Sequence, residues 1–552
     1  MADGTFVNTL ETFDELTGLG GTNRLNATLM DDAGTPILSN IQNIYLQSRN
    51  VAAELSLENA DSVAQVWTSR STNDLTVTFV QNAVVMGVTA TTAASVFDLA
   101  YADDASGGAQ SIVLQGAGTA ANEVTLRATD AGTAITEVTI NAASGTNKVS
   151  LDGDMDNTEV LTISGSAALV IDTDTTGFTF LTSLVAGAYT GDLEIDISAS
   201  TTIESVVTGG GDDTVTIDGG NLIAAAVLAV NLGAGANTLS LTDIDTDVAI
   251  DTLVFTGDDL AISNVGTLSF ADNIVLGTDD SATIDLDGIA PTAVTFAGTV
   301  DLDSAAVAAA LSFANTAATL NVTFAGELDD VGVTPVGGSI DLGADVTTST
   351  VTFGADVGAT AVVNFTGEVL ETLTLAVSED GVSVDALVTG LDDADTDTLT
   401  SLTLSDTSEA GDATITVAVV ETLNLTSITL SGGEATNFEL DTTDVAFESA
   451  VTYTIGGFGV GSEIITDAAT VRETFAFVGA NIADIVITGY SQNAGANGDR
   501  VSFGSLTGVD SIADLDFDFV GGDTLITSDA FDGTITIVGV DIAANAYNFT
   551  FA

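Results

Sequence analysis

Two neighbouring stretches decide the fold: Thr398–Leu404 reads TLTSLTL and Ala413–Val419 reads ATITVAV, with Glu421–Leu425 (ETLNL) close behind. In each, β-branched or apolar residues alternate with small polar ones, which is the period of a strand with one buried face. Gly, Asp and Asn interrupt the alternation at short intervals. Leu75–Val80 (LTVTFV) and Thr214–Ile217 (TVTI) repeat the pattern far upstream. Many short strands fit a parallel β-solenoid or a series of tandem β-sandwich domains. The solenoid is expected, because the repeats continue without a clear domain break. The turns are also small, and only three prolines occur, Pro36, Pro291 and Pro335. Each coil of a parallel β-helix stacks on the last and buries a continuous apolar column. Aromatics make up only 6% of the chain, so the column is expected to be narrow and aliphatic.

Two segments depart from the strand pattern. Asn8–Gly18 (NTLETFDELTG) places Leu10, Phe13 and Leu16 at near-helical spacing before a glycine stop, which predicts a short helix. Ser304–Ala314 (SAAVAAALSFA) is the longest apolar run and predicts a small helix or a buried packing segment. It falls short of the ~18 residues that a membrane span requires.

The charge is extreme: 79 Asp and Glu against 7 Lys and Arg, a formal net charge of −72, with no His and no Cys. Yet 45% of the residues are apolar and the mean hydropathy is +0.42, so this is a folded acidic body and not a disordered acidic tail. Without His or Cys there is no Ser-His-Asp triad, thiol nucleophile, Cys/His zinc site or disulfide. Phosphate recognition needs clustered basic residues, so nucleic acid is not an expected partner. Divalent cations are, because hard carboxylate oxygens suit Ca²⁺ and relieve self-repulsion. Five of the seven basic residues, Arg24, Arg49, Arg70, Arg127 and Lys148, lie in the first 148 positions; only Arg472 and Arg500 follow. Arg24, Arg49 and Arg70 are therefore the expected anchoring residues, meeting an anionic surface polysaccharide or the acidic body of a neighbour. The N-terminal MADGTFVNTLETF has neither the basic nor the apolar region of a Sec signal.

Metal-site candidates come from spacing. Thr208–Thr216 (TGGGDDTVT) matches the nonapeptide GGxGxDxUx at all but the first Gly, with Asp212 and Asp213 at the ligand end and Val215 in the core. Leu232–Ser240 (LGAGANTLS) and Gly18–Asn26 (GLGGTNRLN) are degenerate copies with Asn in the ligand position, and they stand apart. Alternate Asp clusters add Asp152, Asp154 and Asp156, then Asp243, Asp245 and Asp247, then Asp392, Asp393, Asp395 and Asp397. Such loops can aim several carboxylates at one calcium ion, or simply be solvated turns. None is an EF-hand, since Ile163 stands where the bidentate Glu after Asp152 belongs. Paired carboxylates also cleave polysaccharides, but those sites add basic or aromatic residues. This chain has a single Trp (Trp67) and no basic residue between 149 and 471, so it is not expected to be an enzyme. Thr-x-Thr pairs at Thr76/Thr78, Thr214/Thr216 and Thr414/Thr416 are of a kind that lines ice-binding faces, but they are scattered.

Toward the end come Ala483–Gly489 (ADIVITG), Gly498–Leu506 (GDRVSFGSL), Gly521–Thr527 (GGDTLIT), Gly533–Val540 (GTITIVGV) and Asn548–Phe551 (NFTF). This order resembles the C-terminal segment of RTX proteins exported by type I secretion, though Asn548 stands where that family's terminal motif has Asp. Gly20–Leu29 (GGTNRLNATL) followed by Pro36–Leu46 (PILSNIQNIYL) is similar to modules of RTX-type bacterial surface-layer (S-layer) proteins. The resemblance implies an uncleaved C-terminal export signal, folding outside the cell on meeting calcium, and an extracellular, cell-surface location. It divides the chain into an anchoring region (1–130), an acidic solenoid body (131–470) and an RTX-like C-terminal region (471–552). The expected function is a secreted structural protein that self-assembles with calcium into a layer, sheath or filament. The alternative is a calcium-dependent adhesin that binds a glycan or a partner cell. Tyr547, Phe549 and Phe551 alternate along the tail and offer one apolar strand face. That face either folds back on its own domain or adds to an edge of the next subunit.

Overall fold

The structure, a computed structural model, describes residues 8–551 except 173–176, 224–227, 244–251, 255, 258–259, 276–280, 288, 302, 305–306, 309, 315, 330–338, 356–362, 368, 390–397, 421–423, 434, 446, 460, 467–470, 480–481, 493–497 and 543–547. It is nearly all β, with parallel strands stacked into a β-solenoid of about 16 turns. Helix among the described residues comes to one α-helical turn, Gly220–Ile223, and two 3-10 turns, Asp154–Asn157 and Ile512–Asp514. Two compact units form: Met1–Ile244 with Phe255–Thr267, and Asp245–Val254 with Leu268–Ala552.

In the first unit, successive strands alternate between two parallel ladders. One carries Arg24–Leu29, Asn43–Ser48, Gln65–Ser69 and Val85–Thr91; the other carries Ala53–Ser56, Leu75–Val80 and Ser95–Tyr101. Because side chains alternate across a strand, each register row is all inward or all outward. Ile44, Val66, Met86 and Ile112 form one such inward row, every member fully or almost fully buried.

The second unit repeats the plan. One ladder runs through Ala293–Phe296, Thr319–Phe324, Thr348–Phe353, Thr372–Val377, Ser401–Asp406, Ser427–Ser431, Val451–Gly456 and Glu473–Val478. Its partner ladder includes Ser339–Asp341, Ser383–Thr389, Thr414–Val420, Asn437–Asp444 and Ser462–Ile465. On the first of these, an outward row holds Thr or Ser at every position from Thr319 to Thr474. The next outward row reads Asn321, Thr350, Thr374, Thr403, Thr429 and Thr454.

The tandem-sandwich alternative fails on strand direction. Antiparallel pairs among the described residues are confined to local hairpins such as Asp516–Val520 with Asp523–Ser528. Neither expected helix forms. Residues 8–14 make turns, held by the Asp14 carboxylate accepting from the Glu11 N–H at 2.8 Å, and Glu15–Thr17 pairs in parallel with Ile37–Ser39. Phe13, expected on an apolar helix face, is 96% exposed. Within Ser304–Ala314, Ala310–Ala314 is a strand paired with Ser281–Asp285 and Ser339–Asp341, with Leu311 and Phe313 buried. The packing-segment reading therefore holds there and the helix does not.

The core is also less aliphatic than composition suggested. Phe270, Phe296, Phe324 and Phe353 stack along one inward row with centroids 5.0, 5.1 and 5.9 Å apart. A parallel in-register ladder puts like residues one strand spacing apart, so a few phenylalanines line up face to face.

Candidate functional site

Three places collect the chemistry that the sequence singled out. The first is a glycine-rich corner in the first unit. Thr208–Thr216 and Leu232–Ser240 do not stand apart; they lie on consecutive coils, with Gly210 bridging Ala234 and Thr214 facing Thr238. Gly233 (φ +70°) and Gly235 (φ +135°) have no room for a side chain, since a Cβ on either meets the Gly209 or Gly211 carbonyl at 1.9 Å. Asp213 is fully buried. Its Oδ1 accepts from the Leu193 N–H at 3.0 Å, and its own N–H donates to Asn237 Oδ1 at 3.0 Å. Asn237 therefore fills the ligand position of its copy as a cross-coil tie. Asp212 does similar work, accepting from the Ala236 N–H at 2.8 Å while its N–H donates to Asp192 at 2.9 Å.

Asp213 Oδ2 is buried without a hydrogen-bond partner. Burial pushes the Asp213 carboxyl up, and the nearby Asp192 and Asp212 add to the shift. The Thr208 hydroxyl, which donates to the Leu232 carbonyl at 2.7 Å, lies close enough to offset part of it. One orphaned carboxylate oxygen in a glycine-rich corner is the hard donor chemistry that suits Ca²⁺. Among the described residues, however, no three carboxylates are grouped to hold one ion.

The Asp152, Asp154 and Asp156 cluster suits a metal less well. Arg127 already sits there, its Nε 3.7 Å from Asp152 Oδ2. Asp152 Oδ1 accepts from the Gly153 N–H at 2.7 Å, and Asp154 accepts from the Asp130 N–H. Asp156 is pushed up by burial and then by the two neighbouring carboxylates. A guanidinium thus occupies the place where a cation would serve. Asp393 and Asp395 lie outside the described residues, as do Asp245 and Asp247.

The second place is an aromatic and basic cleft on an outward face of the first unit. Tyr45, Trp67 and Gly87 share one register row. The two rings stack with centroids 5.2 Å apart, and the Arg24 guanidinium lies 3.5 Å over the Tyr45 ring centroid. Arg24 Nε donates to Asn26 at 2.8 Å and Trp67 Nε1 to Gln65 at 2.9 Å. Gly87 is required, because a Cβ there meets Trp67 at 2.0 Å. Beside Tyr45 opens a cleft of about 280 Å³ lined by Thr9, Asn26, Thr28, Gln47 and Arg70, with Gln47 donating to the Arg70 carbonyl at 2.8 Å. Of the three expected anchoring arginines only Arg70 lines this cleft; Arg24 reaches its edge through Tyr45 and Asn26, and the exposed Arg49 lies outside. The sequence reading missed Tyr45 and Gln47. Their signal was the return of Arg24, Tyr45, Trp67 and Gly87 at about one coil each, visible only once the coil length is known.

The third place is the tail. Phe549 pairs with Val501, packs edge-on to Phe517 at 5.4 Å and is 7% exposed. Phe551 stacks on Phe503 at 6.2 Å. The tail folds back on its own last coils; Tyr547 lies outside the described residues. Comparison with known proteins returns no match to a family model, a curated protein or a solved structure.

Proposed function

We propose that the chain is an extracellular structural protein of the RTX-type, type I-secreted surface-layer kind, assembling with calcium into a layer, sheath or filament. The observation that carries this reading is how the buried polar side chains are used. Asn147 accepts from the Gly116 and Ala117 N–H groups, Asp130 from those of Asp104 and Ser106, and Asp213 from that of Leu193, all on neighbouring coils. Polar chemistry is spent on holding a stack together, as a scaffold requires. If calcium binds, Asp213 Oδ2 is the group that would hold it, neutralising part of the −72 charge. A ligand bound only by the folded state stabilises it. Melting in chelator is therefore expected about 2–4 °C below melting in millimolar Ca²⁺. Asp213→Asn should shrink that gap. Superimposable melting curves would sink the calcium reading.

The adhesin reading gains support from one observation, the cleft beside Tyr45. Arg70, amides and hydroxyls around the pocket, with Arg24 stacked on Tyr45 at its edge, suit an anionic sugar chain, with a charge-assisted bond from the Arg70 guanidinium. On the scaffold reading the same cleft is the anchor. Tyr45→Ala combined with Arg70→Ala is expected to weaken binding to alginate at least tenfold, while neutral dextran binds neither protein. Undiminished alginate binding by the double variant would move the anchor elsewhere.

A further inference from the structure

We propose that the outer face of the Thr319–Phe324 ladder in the second unit binds ice. This goes beyond the scaffold reading and does not depend on it. The isolated Thr-x-Thr pairs that stand out in the sequence are not the ones that matter, for Thr414 and Thr416 lie on the partner ladder. Strand pairing assembles a different set. Thr348 and Thr350, Thr372 and Thr374, Ser401 and Thr403, Ser427 and Thr429, and Thr452 and Thr454 stack on five consecutive coils in unbroken register.

Charge separates this face from ordinary strand surface. The chain has 79 carboxylates, yet no outward position within the strands of this ladder from Thr319 to Ala476 is charged; the exposed Glu371 stands just before them, in the row of Thr347 and Thr400. The partner ladder, built from the same kinds of strand, turns Asp385, Glu439, Asp441 and Glu463 outward. β-propensity alone acts on both ladders and accounts for threonine on both, not for the exclusion of charge from one. An uncharged face on so acidic a body suits a surface that is itself uncharged and offers no counter-ions.

The geometry suits ordered water. In-register strands set hydroxyls about 4.8 Å apart across the ladder and about 6.7 Å apart along a strand. The oxygen positions of hexagonal ice repeat at similar distances along two perpendicular directions. Each threonine presents a methyl to exclude loose water and a hydroxyl to bond lattice water. Thr347, Thr400 and Thr426 bond backbone carbonyls at 3.1, 3.1 and 3.2 Å, but they lie just before the array. Beneath the array, Leu373, Leu375, Leu402, Leu404 and Ile428, each at most 1% exposed, back the strands. A second copy is the other candidate occupant, but protein interfaces favour aromatic and other large side chains and are depleted in serine.

The test is ice recrystallisation in the presence of the full chain. Wild type is expected to arrest grain growth at micromolar concentration. Thr374→Lys with Thr403→Lys should need at least tenfold more protein, and so should the volume-conserving Thr374→Val with Thr403→Val. Thr416→Lys on the partner ladder should match wild type, with circular dichroism melts unchanged throughout. Wild type no better than an equally acidic inert protein would overturn the proposal, as would full activity in both double variants. A wild-type dimer in sedimentation, dissociated by the lysine variant and inert toward ice, would also overturn it and assign the face to a second copy.

Discussion

Phe324→Ala is expected to cost about 3–5 kcal/mol, the range for removing a buried aromatic ring without refilling its space. Phe324 is 1% exposed and lies between Phe296 at 5.1 Å and Phe353 at 5.9 Å, so its removal breaks two stacking contacts at once. Phe353→Ala should cost less, because its other neighbour, Phe365, meets it only edge-on at 6.3 Å. In a solenoid each coil contacts its neighbours alone, so the loss stays local and can split a single unfolding transition. Urea titration followed by hydrogen exchange should show Thr319–Phe324 and Thr348–Phe353 opening first. If Phe324→Ala costs no more than Thr374→Ala on the solvent face, the stack does not hold these coils together.

That stack also marks how far the sequence could be read. The alternation in TLTSLTL and ATITVAV is local, and the strands Ser401–Asp406 and Thr414–Val420 follow from it directly. The solenoid followed from repetition and small turns. Which residues meet across coils depends on coil length, and coil length varies. Phe270, Phe296, Phe324 and Phe353 fall 26, 28 and 29 residues apart, so no fixed period exposes them. The two glycine-rich copies at Thr208 and Leu232 seemed isolated for the same reason, although one coil separates them. At Asn8–Gly18 the helical spacing of Leu10, Phe13 and Leu16 was real but decided nothing. Leu10 alone is buried there, and the Asp14 turn and pairing with Ile37–Ser39 supply the backbone bonds a helix would have made. The cleft beside Tyr45 was half legible. Arg24 and Arg70 stood out as scarce charges, whereas Tyr45 and Gln47 became relevant only through cross-coil neighbours.

Asp406→Ala should destabilise the second unit by about 2–4 kcal/mol, since it strands the buried Ala413 N–H and removes bonds from Thr436 and Ser408. The Asp406 carboxylate accepts from the Ser408 N–H and hydroxyl at 2.9 and 2.6 Å, from the Ala413 N–H at 3.1 Å and from the Thr436 hydroxyl at 2.6 Å. Burial alone would raise this carboxyl, but those bonds outweigh it and hold the group below its usual range. A depressed carboxyl stabilises the fold above its unfolded value of about 4, and that contribution is lost as pH falls through the folded value. Asp499 works in the opposite sense. It is fully buried, and burial pushes it up to about 6 despite N–H donors from Glu473 at 3.0 Å and Ser491. A raised carboxyl favours the fold while protonated, below about pH 4, and that contribution is lost as pH rises through about 6, roughly 2–3 kcal/mol in all. The two signs predict a wild-type stability profile that climbs from strong acid, peaks near pH 4 and declines toward pH 7. General repulsion among the 79 carboxylates adds to the same decline, so each variant must be read as a difference from wild type at fixed ionic strength. Asp406→Asn should lose stability above about pH 4 and converge on wild type in stronger acid. Asp499→Asn, which stays neutral, should match wild type near pH 4 and gain on it by roughly 2–3 kcal/mol by pH 7. Melting curves from pH 3 to 8 that run parallel for all three proteins would show that neither carboxylate sets the profile.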